Sequence, residues 1–393
     1  MLRSLLLVLI AGLTIAGCAA TARNAIPPRL ADTAEVIGLE RRPIRFWGDT
    51  PPKALAEATR EMDHQRRIAA KTDPRLSLTA RQSILVISGG GSDGAFGAGL
   101  LNGWTTTGTR PEFLVVTGVS TGALIAPFAF LGPQYDKVLK EFYTLYETKD
   151  ILRPTVLAGL FGGSSVASSE PLAGLIAKYM TRTVMKRIAA EHARGRRLLV
   201  GTTNLDAERP VIWNIGQIAT AGTDRSLRLI RQVLLASASI PGVFPPVMID
   251  VHVGGKKRQE MHVDGGTTEN AILLPVQTDL KKINKKGRRP APEIYVIVNS
   301  HLDPQYQSVK PSTLDIASRS ISTLIKQKTL GDILKLYDFA KRNGLRYRLA
   351  MIPASYQKRP KEAFDRAYMT ALFEAGQKLG QQGYKWATEP PVR

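Results

Sequence analysis

From Ser83 onward the chain alternates short, unbroken apolar runs with longer stretches of helical period. SILVIS (83–88) is continuous and β-branched, and a glycine-rich turn and the small-residue helical pattern AFGAGLLNGW (95–104) follow it at once. EFLVVT (112–117) is a second such run; GVSTG turns it, and ALIAPFAFLG (123–132) continues as a helix. Apolar runs that do not alternate with polar residues fit strands covered on both faces, as in a mainly parallel sheet. The same reading predicts strands at 198–204, 210–215, 260–265, 293–300 and 347–353. Helical periodicity predicts helices over 136–151, 170–194, 225–237, 311–342 and 360–382. Strand and helix alternating over some 300 residues point to an α/β class, a three-layer α/β/α architecture with a mainly parallel central sheet.

Residues 18–80 have a different texture, with scattered prolines and charges, and only about 52–70 reads as an exposed helix. They are expected to be a tether and N-terminal extension, leaving 81–393 as the main domain with a helical C-terminal region. The segment LAGLFGGSSVASSEP (157–171) is rich enough in Gly and Ser to predict a mobile loop between helices.

Hydrophobic residues make up 44% of the chain and charged ones 22%, a balance that excludes a disordered or multi-spanning membrane protein. The net charge of +21 favours anionic partners, such as phospholipid headgroups or lipopolysaccharide phosphates. Nucleic acid is not expected, because no zinc-finger spacing, RNP-like aromatic motif or continuous basic helix accompanies the charge. The densest basic run, Lys281 to Arg289, lies among Gly and Pro and reads as a solvated loop.

The first residues are Met1, Leu2 and Arg3, followed by an apolar run too short to span a membrane comfortably, which is the pattern of an export signal over 1–17. The run ends at Ile15-Ala16-Gly17-Cys18, which resembles the lipobox of bacterial lipoproteins and implies that Cys18 is lipidated. The other reading is a conventional signal peptide with Cys18 incidental; both export the chain. Cys18 is the only cysteine, so no intrachain disulfide is possible. Ala19, next to the cysteine, favours an outer-membrane over an inner-membrane location in a bacterial cell envelope.

Gly118-Val119-Ser120-Thr121-Gly122 matches G-x-S-x-G and lies where a nucleophile elbow must lie, between a buried strand and a helix. Upstream, Gly89-Gly90-Gly91-Ser92-Asp93-Gly94 follows a strand and opens a helix. It could cradle a dinucleotide pyrophosphate with Glu112 on the ribose, but Glu112 begins its strand instead of ending it. As an oxyanion hole, the same loop supplies backbone amides from Gly89, Gly90, Gly91 and Gly94, and the nearby elbow favours this use. The base for the hydroxyl is open among His64, His192, His252, His262, His301 and the carboxylates, of which Asp264, ahead of Gly265-Gly266, stands out. His262 and Asp264 form H-x-D, but no second cluster has ligand spacing, so neither a metal nor a cofactor is expected.

The glycine loop, the elbow and Asp264-Gly265-Gly266 together resemble the patatin-like phospholipase family. Ala236 to Pro246 (ASASIPGVFPP) and Thr202 to Asp206 are similar to further blocks of that family, and the similarity covers about 83–300. The resemblance implies a patatin-like fold and a lipid acyl hydrolase with a catalytic dyad, Ser120 as nucleophile and Asp264 as base, working through an acyl-enzyme. It implies an acyl-ester or phospholipid substrate class, with neither headgroup nor chain length specified. One departure is Asp93, which stands where the family often has Arg or Lys. The alternatives are a Ser-Asp-His esterase using His301, in the chain order of α/β-hydrolases, and a lipid-binding envelope lipoprotein without turnover.

Overall fold

The computed structural model describes residues 23–154, 165–275, 277–283 and 290–391. Cys18 and the export segment lie outside the described residues, as do 157–164 of the expected loop and 284–289 of the basic run. Ten strands form the central sheet: β1 (Glu35–Val36), β2 (Arg45–Trp47), β3 (Ser83–Ile87), β4 (Val115–Val119), β5 (Arg197–Asn204), β6 (Arg209–Asn214), β7 (Val247–Val253), β8 (Lys256–Asp264), β9 (Glu293–Val298) and β10 (Arg346–Met351). Their order is β1-β7-β8-β5-β4-β3-β9-β10, with β6 pairing β5 and β2.

The uninterrupted apolar strands lie at the parallel centre, where β10, β9, β3, β4 and β5 run together. They are covered on both faces. Leu85, Ile87, Val116, Val200 and Ile297 enter one core, while Ile84, Val86, Val296 and Val298 enter another. The first core takes most of the helices: α2 (Gly94–Thr106), α3 (Thr121–Leu131), α4 (Asp136–Thr144), α5 (Glu170–Tyr179), α6 (Arg182–Ala193), α7 (Asp224–Ser237) and α9 (Arg366–Gln381). The second is covered by α8 (Thr313–Asn343) through Ile333, Leu336 and Phe339, while α1 (Leu55–Ala69) belongs to the N-terminal part. This is the three-layer arrangement the alternation predicts. On the other side of β5 the sheet becomes antiparallel, through β6, β7, β8 and β1.

The N-terminal extension is built into this sheet. Glu35 pairs with His252 of β7, Phe46 pairs with Ile212 of β6, and Gln259 of β8 donates its amide to Asn24 O at 2.9 Å. The described residues from 23 onward are therefore part of the domain's framework, and the expectation of a loose tether does not hold for them. A short run such as Arg45–Trp47 carries too few residues for a periodic signal. Arg45 also crosses to β8, forming an ion pair with Glu260, and His262 Nε2 lies 3.0 Å from the same carboxylate. Thr202 Oγ1 joins this buried group, 3.0 Å from His262 Nδ1 and accepting Trp213 Nε1 at 2.8 Å.

Helices α2 and α9 meet at backbone contact. A Cβ on Gly99 would lie 2.0 Å from Phe373 O, one on Gly103 2.0 Å from Gln377 O, and one on Gly376 2.4 Å from Phe96 O. Any side chain at these positions forces the helices apart, so the C-terminal helix is fixed directly on the helix that the glycine loop opens.

Candidate active site

Strand β4 ends at Val119 and α3 starts at Thr121, so Ser120 makes the whole turn between them, at φ 55° and ψ −126°. A non-glycine residue in that region costs about 1–3 kcal/mol and persists only where its surroundings dictate it. Four contacts do so here. The Ser120 amide donates to Ser237 Oγ at 2.9 Å, and that hydroxyl donates to Gly201 O at 2.6 Å. A Cβ on Gly118 would lie 2.3 Å from Gly122 O, and one on Gly122 2.3 Å from Ile87 O. The flanking glycines thus let strand, turn and helix close together. Ser120 is 6% exposed, at the positive end of the α3 dipole.

Asp264 ends β8, beside β5, which in turn lies beside β4; sheet order thereby brings a carboxylate 144 positions along the chain next to the serine. Its amide donates to Ser239 O at 2.9 Å, and its carbonyl accepts Thr203 Oγ1 at 3.0 Å. Oδ1 accepts the Gly266 amide at 2.7 Å. Burial pushes the Asp264 carboxyl up to about 7, against the pull of the Ser120 hydroxyl and then of the Gly266 amide. Oδ2 has no partner at ordinary hydrogen-bond geometry among the described residues. Ser120 is the first of the groups that lower the Asp264 carboxyl, while no hydrogen bond of ordinary geometry joins the two side chains among the described residues.

The glycine loop divides into two kinds of amide. Gly89 N donates to Asn270 O at 3.1 Å, and Gly94 N turns back to Gly91 O and Ser92 O. Those two amides are spent, which corrects the expectation that all four glycines supply donors. The amides of Gly90 and Gly91 have no acceptor among the described residues, and Gly91 borders the same cavity as Ser120. Gly89 retains a steric role, since a Cβ there would lie 2.9 Å from Ser120 Cβ.

Three polar side chains away from the serine and aspartate turns support these loops. Asn270 donates through Nδ2 to Thr329 Oγ1 at 2.6 Å and through its amide to Asp332 Oδ2 at 2.7 Å, tying the Asp264 turn to α8. Asn299 accepts Gly97 N at 3.0 Å and donates to Ser88 O at 2.9 Å, bracing the glycine loop from β9. Ser237 holds the elbow.

The cavity at Ser120 is about 30 Å³ and nearly all apolar, bordered by Leu124, Phe142, Leu172, Phe244, Phe364 and Met369 among others. No histidine lines it. His301 stacks on Tyr356 with ring centroids 6.4 Å apart, His192 Nε2 meets Gln217 Oε1 at 2.9 Å, and His252 pairs with Glu40. Asp264 has no histidine partner, so the structure does not assemble the Ser-Asp-His alternative. Glu112, the ribose partner of the dinucleotide reading, faces Arg75, Arg194 and Arg196. A far larger space of about 1140 Å³, lined by apolar and charged side chains alike, lies beneath α1 and borders none of the Ser120 loops.

Residues 85–277 match a family model described as Patatin-like phospholipase. Among solved structures, the chain is similar to VipD from Legionella pneumophila at 13% identity and a TM-score of 0.33, over 77% of this chain and 67% of that one. It is similar to the type III effector protein ExoU at 11% identity and a TM-score of 0.30, over 78% of this chain and 54% of that one. The chain thus spans about two thirds of the first and about half of the second. No curated protein matches the chain.

Proposed function

Because residues 85–277 of this chain are a patatin-like phospholipase domain, we propose that the protein is a lipid acyl hydrolase of phospholipase A, lysophospholipase or esterase type, with Ser120 and Asp264 as its catalytic dyad. The observation that carries this reading is the pairing itself. A serine held in a strained turn faces a carboxylate that burial has raised to about 7, and the serine hydroxyl is the first of the groups pulling that value down. A carboxylate at its ordinary value is too weak a base for a hydroxyl; desolvation supplies the missing basicity.

In the forward half-reaction Asp264 takes the Ser120 proton as Oγ attacks the ester carbonyl carbon. The oxyanion points to the amides of Gly90 and Gly91, a type of contact in which one donor contributes about 3–4 kcal/mol. The intermediate collapses, the C–O bond to the alcohol breaks, and the leaving alkoxide takes the proton from Asp264. Water then enters, gives its proton to Asp264 and attacks the acyl-serine; the fatty acid departs and the proton returns to Ser120. The same proposal places the protein in a bacterial cell envelope, anchored by lipid at Cys18, with its net charge of +21 drawing it to anionic headgroups.

Labelling with a fluorophosphonate tests the nucleophile. Wild type is expected to take the label and to hydrolyse p-nitrophenyl esters, and Ser120→Ala to lose both, the hydrolysis by about 10³-fold or more. Equal labelling of the two proteins ends the proposal.

A further inference from the structure

Two residues of the cavity at Ser120 come from beyond the family-matched residues. Phe364 and Met369 border the cavity, on and just before α9, opposite Leu124, Phe142, Leu172 and Phe244. Met369 is buried and Phe364 half-buried. Two independent features hold this wall in place. Tyr368 Oη donates to Asp93 Oδ1 at 2.7 Å, linking α9 to the glycine loop through the residue that stands where the family often has a cation. The backbone contact of α9 with α2, through Gly99, Gly103 and Gly376, prevents α9 from sliding back.

We propose that Phe364 and Met369 are specificity-determining residues which end the acyl site, so that the folded enzyme prefers esters of short acyl chains. The inference rests on Ser120 being the nucleophile. About 30 Å³ is the space at issue. On a measure in which about 10–15 Å³ holds one water, that is room for roughly two or three water-sized groups. Within that room each methylene buried in the transition state raises kcat/KM about fourfold. Beyond it, a longer chain must displace packed side chains, at a loss of about 5–100-fold. Tyr368 acts as a positioning residue, because its bond to Asp93 fixes where Met369, the next residue, stands.

The test is kcat/KM on monomeric p-nitrophenyl acetate, butyrate, octanoate and dodecanoate, read as the octanoate-to-butyrate ratio within each protein so that losses of folded material cancel. Wild type is expected to fall about tenfold or more from butyrate to octanoate. Phe364→Ala and Met369→Ala are expected to raise the ratio about tenfold, and Tyr368→Phe by a smaller factor. Phe364→Leu, on an irregular segment that tolerates change, serves if a truncation fails to fold. An unchanged ratio in the Phe364 and Met369 variants, or a wild-type preference for octanoate, overturns the inference while leaving the dyad intact. Activity surviving in Ser120→Ala would instead overturn the assignment of the nucleophile.

Discussion

The backbone amide of Ser120 donates to Ser237 Oγ, 2.9 Å away, and two residues further on the carbonyl of Ser239 accepts the amide of Asp264, also at 2.9 Å. The three residues Ser237 to Ser239, at the end of α7 and just past it, therefore hold the backbones of both Ser120 and Asp264. The distance between their side chains is set by this shared support as much as by the sheet.

Ser237→Ala removes the acceptor of the Ser120 amide and leaves that donor buried. Loss of one such bond costs about 1–3 kcal/mol, and the elbow loses its tie to Gly201. We expect kcat to fall about 10- to 100-fold with a smaller change in KM, and the urea midpoint to drop; steady-state kinetics and equilibrium unfolding of the one variant check both.

The strain at Ser120 is separable from its chemistry. Glycine takes a φ of 55° freely, whereas alanine keeps the full penalty of about 1–3 kcal/mol. Both Ser120→Gly and Ser120→Ala are expected to be inactive, with the glycine variant the more stable by about 1 kcal/mol in thermal unfolding. The reverse order would show that the turn is unstrained.

The raised carboxyl of Asp264 makes two linked pH predictions. In the proposed mechanism Asp264 acts in its ionised form, so kcat/KM on a soluble ester is expected to rise about tenfold per pH unit up to about pH 7 and to level above it. Stability runs the other way. The folded state holds the proton more tightly than the unfolded one, whose carboxyl keeps its ordinary value of 3.8. The favourable contribution is full below that value and is lost as pH rises through about 7. Asp264→Asn is therefore expected to exceed wild type in urea midpoint at pH 8 and to match it near pH 4.

Arg45→Ala tests the buried group that joins β2 to β8. Burial pushes Glu260 up, but Arg45 and His262 overcome this and hold its carboxyl at about 2. Removing one partner of a buried ion pair costs about 3–5 kcal/mol, because the other charge is left stranded. Equilibrium unfolding at pH 7 should show that loss, and Arg45→Ala with Glu260→Gln together should recover much of it. The stabilisation is present above the ordinary value of 4.5 and disappears as pH falls towards 2.

Much of the architecture is legible in the chain because its central strands announce themselves. SILVI and EIYVIV are apolar on both faces, and only a covered parallel strand needs that. Val247–Val253 escapes such a reading, since VMIDVHV mixes buried and exposed positions on an antiparallel strand. The strand read at 112–117 lies instead at Val115–Val119, running on through Gly118, where the start of α3 packs too closely for a side chain. The helix expected over 170–194 is two, divided at Met180–Thr181, where Thr181 Oγ1 caps the second by accepting Val184 N. At the site, Ser120 and Asp264 stand out because each sits in a tight turn beside glycines, a pattern visible in the chain. Asn270 and Asn299 do not, since a polar side chain that braces a distant loop has no local pattern. The spent amides of Gly89 and Gly94 are invisible for the same reason: their acceptors are chosen by tertiary structure.

Strand β3 has Val115 opposite Ile84 on one side and Ile294 on the other, with some 210 residues separating the latter pair along the chain. During synthesis the glycine loop and elbow emerge early, yet one flank of β3 stays an unpaired, fully apolar strand until β9 leaves the ribosome. Such an edge is a template for intermolecular pairing. A fragment cut at the borders of the family match, ending at residue 277, keeps both Ser120 and Asp264 but exposes that edge permanently. It should accumulate as aggregate, and the smallest soluble unit should extend past β10.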